Sequence, residues 1–224
     1  MSLITALRKP FRYTFANATL IIILLNVLVY FLLRFTPLAI YYHYLALSIP
    51  GFVGYHMVWQ PFTYMFVHAN TSHLFFNMVG LLIFGISTEK AMGSREFVLM
   101  YVVCGVLCGL ASVAAYVVVG AYGVFLVGAS GAIYAMLFAY AVIFPRSRVF
   151  IWGILPVPAP ILVVLYALIE VASQLFSFQT SVAHLTHLAG FAFAWLYSDI
   201  AVLITVSAYL FKVRQAPMSS QSWR

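Results

Sequence analysis

The sequence predicts an all-α integral membrane protein: six transmembrane helices in a bundle, with a short fourth helix that starts inside the membrane. Two observations predict it. The 224 residues are 65% hydrophobic and only 7% charged, with a mean hydropathy of +1.07, whereas a soluble domain keeps about 25% charged residues to hold its surface in water. The apolar residues also gather into runs, and a helix needs roughly 20 of them to cross about 30 Å of hydrocarbon. Six runs fill the chain and leave no separate soluble domain. The expected organisation is a cytoplasmic amino-terminal segment over 1–15, a membrane domain over 16–212, and a cytoplasmic tail over 213–224 whose polar, Ser-rich composition predicts disorder.

The first span is the run from Ala18 to Leu33, preceded by Arg8, Lys9 and Arg12. No small-residue cleavage pattern follows it, so it reads as an uncleaved span. From Phe35 to Ser72 there is no Lys, Arg, Asp or Glu. That stretch holds Tyr41, Tyr42, Tyr44, Phe52, Tyr55 and Trp59, broken by Pro50, Gly51 and Gly54, and reads as a loop lying in the interface or partly in the bilayer. The second span runs from His73 to Thr88 and the third from Phe97 to Val119, followed by a glycine-broken segment to Val127. The fourth starts at Ser130 and stops at Phe144, ahead of Pro145, Arg146 and Arg148. Pro156, Pro158 and Pro160 delay the fifth span to Ile161, from where it reaches Phe176. The sixth covers Val182 to Phe211.

Six spans put both termini on one side. Ten of the eleven Lys and Arg residues fall on that side, Arg34 being the exception, so both termini are expected in the cytoplasm. Scattered over short loops and tails, the +7 charge fits membrane topology and not nucleic-acid binding. Cys104 and Cys108, four apart in one apolar run, read as small packing residues on one helix face.

Chemistry concentrates in three segments. At the head of the fourth helix stands Gly128-Ala129-Ser130-Gly131, with Tyr134 one turn on. From Ser130 to Phe144 a helix is only about 22 Å long, and its inner end is fixed by Pro145, which leaves Ser130 below the outer membrane surface. Non-helical backbone at that depth is tolerated where water or protein covers it, so a water-accessible cavity opening outward is expected there. A helix amino terminus offers free N–H groups to a developing oxyanion. Taken alone, a glycine-flanked serine is common packing in membrane helices. The sixth span carries His184 and His187, followed by Gly190 and Ala194. That small-residue face matches Gly131 and Ala135 on the fourth helix, and close packing of the two would bring an imidazole base to the Ser130 hydroxyl. The second span begins His68…His73…Asn77, with His73 and Asn77 on one helix face. These are candidate oxyanion donors, and equally candidates to hydrogen-bond loop backbone.

Together, His68…His73…Asn77, Gly128-Ala-Ser130-Gly131 with Tyr134, and His187-x-x-Gly190 resemble the rhomboid family of intramembrane serine proteases, over about residues 56–197. The resemblance implies a rhomboid-like bundle and a Ser130–His187 dyad, with oxyanion donors from His73, Asn77 and the Ser130 N–H. It also implies Tyr134 stacked on the His187 ring, and substrates entering laterally near the fifth span and first loop. Gly128, Gly131 and Gly190 are supporting residues, and His184 is assigned to packing or a supporting hydrogen bond. Two departures stand out: Trp59-Gln60 where the family often has Trp-Arg, and Ala194 where a second glycine is usual.

Asp199 lies twelve residues past His187, about 18 Å along a helix and out of reach. Glu170, midway along the fifth span, has a side chain that the sequence does not place, and is read as a satisfied structural or gate-region carboxyl in preference to a catalytic partner. The function expected is therefore cofactor-free, metal-free hydrolysis of peptide bonds in or near transmembrane segments of membrane proteins, through an acyl-enzyme. The partners are those substrates and the lipid bilayer, with no obligate protein partner, and the location is the bacterial inner membrane with the site facing outward. A catalytically silent client-binding relative is the alternative. A metal or haem protein using His68, His73, His184 and His187 fits no common zinc spacing, and no repeat suggests a transporter.

Overall fold

A computed structural model describes residues 13–151, 153–176 and 184–199. The protein is mostly helical: α1 (Ala18–Leu33), α2 (Leu38–Leu45), α3 (Thr71–Met92), α4 (Ser94–Val119), α5 (Ser130–Ile143), α6 (Ala159–Phe176) and α7 (184–199). Among the described residues, α3 and α4 are long and apolar enough to cross a membrane, while α1, α5 and α6 are shorter apolar helices. Large apolar side chains face outward along α1, where Leu24 is 66% and Phe31 60% exposed. Apolar exposure of this extent is at home against lipid and costly against water. The expected continuation of the sixth span past 199, the tail over 213–224 and most of the amino-terminal segment lie outside the described residues.

One end of the bundle is tied by a buried carboxylate. Glu89, on α3, accepts hydrogen bonds from the Ala18 and Thr19 N–H groups at 2.6 and 2.8 Å and from Thr19 Oγ1 at 2.8 Å. It thereby caps the amino terminus of α1, which has no side-chain cap of its own, and complements the positive end of that helix. Ser94 Oγ, at the head of α4, donates to the same carboxylate at 2.5 Å. The three helices meet where Gly93, at φ 88°, makes the turn between α3 and α4.

At the other end the uncharged aromatic stretch folds into short pieces instead of an open loop. The Leu47–Leu126 bridge pairs it with the segment before α5, with N–H to O=C distances of 3.0 and 2.8 Å in the two directions. Gln60 is fully buried; its Oε1 accepts from the Ser48 N–H at 3.2 Å and its Nε2 donates to the His43 carbonyl at 2.8 Å. Position 60, where the resemblance would often have arginine, thus holds the stretch through an amide. Trp59 Nε1 donates to the Tyr44 carbonyl and Tyr64 OH to the Gly105 carbonyl, at 2.8 and 2.7 Å. Gly105 and Gly109 give α4 a face flat enough for Met65 and Tyr64 to press against it.

Three expectations are corrected. The protein is not all-α: Arg148–Ile151 and Leu155–Pro158 form a two-stranded antiparallel hairpin that turns at Gly153, φ 72°. Pro156 and Pro158, sought as helix breakers, sit instead on a free strand edge, where a missing N–H costs nothing. The fifth helix begins at Ala159, two residues early, because Pro160 fits the first turn of a helix, whose N–H groups lack intrahelical partners anyway. The second and third helices also run closer together than expected, to Met92 and from Ser94, since Glu89 and Lys90 lie within the helix and Gly93 alone makes the turn. Cys104 and Cys108 are free, fully buried packing residues in α4, as expected.

Candidate active site

Ser130 opens α5, a 14-residue helix about 21 Å long. Its position is set by the preceding segment: Gly128 donates its N–H to the Tyr64 carbonyl at 2.9 Å, and Ala129 is fully buried. His187 reaches Ser130 because α5 and α7 pack backbone against backbone. A Cβ on Gly190 would run into the Gly131 carbonyl oxygen and lie 3.0 Å from Tyr134 Cβ. Ala194 is fully buried one turn further along. The small-residue faces read from the sequence are thus in contact, and the alanine is accommodated. Thr186 Oγ1 and Ser112 Oγ, 2.6 Å apart, join α7 to α4 on the adjoining side.

His187 Nε2 lies 2.8 Å from Ser130 Oγ. The ring stacks on Tyr134, with centroids 4.3 Å apart and planes 9° from parallel. Both side chains are half-buried. This geometry allows the imidazole to take the serine proton and the serine oxygen to attack an electrophile.

His73 and Asn77 flank Gly128. Asn70 caps α3 by accepting from the His73 N–H at 2.8 Å, which sets the helix start and so the phase of both side chains. A methyl group on Gly128, which stands at φ 111°, would lie 2.5 Å from His73 Nε2 and 3.5 Å from Asn77 Nδ2. Asn77 is buried, yet its Nδ2 has no hydrogen-bond partner within the described residues. A buried free donor beside Gly128 is able to donate to a negatively charged oxygen brought there. His68, 3% exposed, sets its ring edge-on to His73, with centroids 5.1 Å apart. Burial pushes the His68 imidazole down to about 4, so it packs as a neutral ring.

The sequence does not place the Glu170 side chain; the structure brings it to His187. Glu170, on α6 and 5% exposed, takes His187 Nδ1 on Oε1 at 2.9 Å and His184 Nδ1 on Oε2 at 2.5 Å. Tyr134 OH also donates to Oε1. His184 makes the supporting hydrogen bond allowed for it. Spacing could not reveal the contact, which depends on how α6 is rotated against α7. Two histidines one turn apart on α7 were the available signal, since a polar pair at membrane depth needs a partner. Glu170, His184 and His187 also have ligand-type atoms within 4.8 Å of one another; the hydrogen bonds among them account for that closeness. A cleft lined by Met92, Glu96, Met100, Val142 and Tyr197 lies near Ile143, at the opposite end of α5 from Ser130.

A family model described as Rhomboid domain matches residues 55–203. The chain is 36% identical to the human protein "Rhomboid-related protein 3" over 83 residues, 37% of this chain and 19% of that one. It is 32% identical to "Rhomboid protease GlpG" of Salmonella choleraesuis (strain SC-B67) over 80 residues, 36% of this chain and 27% of that one. The matched stretch thus spans about a fifth to a quarter of the length of these relatives.

Proposed function

The chain belongs to the rhomboid family, and on that premise we propose that it is an intramembrane serine endopeptidase, cleaving other membrane proteins in or near their transmembrane segments. The observation that carries the reading is the 2.8 Å approach of His187 Nε2 to Ser130 Oγ at a helix amino terminus. Ser130 Oγ attacks the scissile carbonyl while His187 Nε2 takes its proton. The tetrahedral oxyanion lies against the Ser130 N–H, Asn77 Nδ2 and His73 Nε2. Collapse passes the proton from His187 to the leaving amine and leaves an acyl-enzyme on Ser130. Water, activated by the same imidazole, then releases the acid.

The membrane setting belongs to this proposal. Six spans hold both termini in the cytoplasm of a bacterial inner membrane, and the short α5 leaves Ser130 at the floor of a water-filled cavity open to the outside. A substrate helix enters laterally beside α6 and the aromatic loop. It must unwind first, because a helical peptide bond is shielded by its own hydrogen bonds. The catalytically silent alternative is not favoured, since nucleophile and base stand at reacting distance.

The test is cleavage of a model transmembrane substrate by purified protein. Ser130→Ala and His187→Ala should each lower kcat on the order of 10³-fold or more. Undiminished cleavage by Ser130→Ala would overturn the assignment.

A further inference from the structure

A serine–histidine pair accounts for the chemistry but not for a carboxylate kept inside the bundle. Burying one there is costly, and a neutral side chain could dock α6 on α7. We infer that Glu170 is a positioning residue that completes a Ser130–His187–Glu170 relay; the inference rests on the protease reading.

The argument begins with what each atom can do. A carboxylate oxygen accepts hydrogen bonds, so at 2.9 Å His187 Nδ1 must be the donor. A neutral imidazole with its proton on Nδ1 has a free electron pair on Nε2, the atom 2.8 Å from Ser130 Oγ. Glu170 therefore selects the tautomer that can act as a base. It also fixes the ring within its own plane, while stacking on Tyr134 fixes the plane itself. Tyr134 OH and His184 Nδ1 hold the carboxylate in turn, so each member of the group has its orientation set by another.

During attack the Oγ–H bond breaks, Oγ bonds to carbon and the proton moves to Nε2. The Nδ1 proton stays in place. The imidazolium so formed faces the carboxylate, which stabilises it without taking a proton, until Nε2 protonates the leaving amine.

The experiment compares wild type, Ser130→Ala and Glu170→Gln in the cleavage assay, with kcat expressed per active site titrated to completion by a fluorophosphonate for the two proteins that keep Ser130, and per mole of folded protein for Ser130→Ala. Glu170→Gln should lower kcat on the order of 10²- to 10⁴-fold with KM unchanged. A merely structural carboxylate would cost thermal stability and titratable sites while leaving kcat per site within about threefold, and that result overturns the inference. Should Glu170→Gln fail to fold, the wild type decides by nuclear magnetic resonance of isotope-labelled histidine. A His187 resonance, assigned by its loss in His187→Ala, with the proton on Nδ1 supports the relay; one with the proton on Nε2 overturns it. Cleavage that persists in Ser130→Ala removes the protease reading and this inference together. Cleavage lost in Ser130→Ala but kept in Glu170→Gln removes this inference alone.

Discussion

At Gly128 the chain has space for a hydrogen atom and nothing more, because His73 Nε2 occupies the place of a side chain. That crowding keeps two side-chain nitrogens beside the residue that precedes the Ala129–Ser130 step. Asn77 Nδ2 has no other partner among the described residues, so its hydrogen bond is available for the transition state. Asn77→Ala should lower kcat by about 10²- to 10³-fold with little change in KM, measured in the same cleavage assay. A KM effect alone would move Asn77 from oxyanion stabilisation to substrate binding. Ser130, His187, His73 and Asn77 stand out in the sequence as motif residues, and the stacking of Tyr134 on His187 is what the resemblance implies; their roles in catalysis belong to the proposal. Glu170 does not stand out. Tyr166, Ser173 and Gln174 lie one turn to either side of it on α6, and such a stripe does not say which neighbouring helix it meets.

The contact between α5 and α7 depends on the absence of side chains. Gly190 sits on the Gly131 carbonyl, and Ala135 and Ala194 continue the seam, both fully buried. Leucine at Gly190 must push the helices apart and carry His187 away from Ser130. Gly190→Leu should abolish cleavage and lower stability by about 1–3 kcal/mol, the usual range for overpacking, as read by thermal unfolding in detergent. The seam was legible because small residues at a four-residue spacing have few other uses in a membrane helix. The hairpin at Arg148–Pro158 was not, since Pro156 and Pro158 suit an exposed strand edge as well as they suit a break before a helix. The wide turn Leu81–Gly85 inside α3 was equally hidden, because local widening leaves the apolar pattern of a span unchanged.

Across the whole molecule, polarity is divided between the two ends. The end tied by Glu89 is bonded through charge, and Lys90 and Arg95 lie in the same turn region. The end that holds Ser130 carries the uncharged aromatic stretch. Positive loops stay in the cytoplasm, so a phosphatase fused after Arg224 should be inactive and a fluorescent protein in that position bright. The opposite pair of results would invert the topology. Composition and charge asymmetry are what this expected plan rests on. How the aromatic stretch folds was beyond them, because it is held by single side chains reaching backbone groups far away in sequence. Gln60 is the clearest of these. Its grip on Ser48 and His43 uses an amide, which has no charge to titrate or screen. An arginine at that place would draw anionic headgroups and would hold less firmly as ionic strength rose. The latch itself therefore presents no charge on which the surface potential of a surrounding bilayer could act.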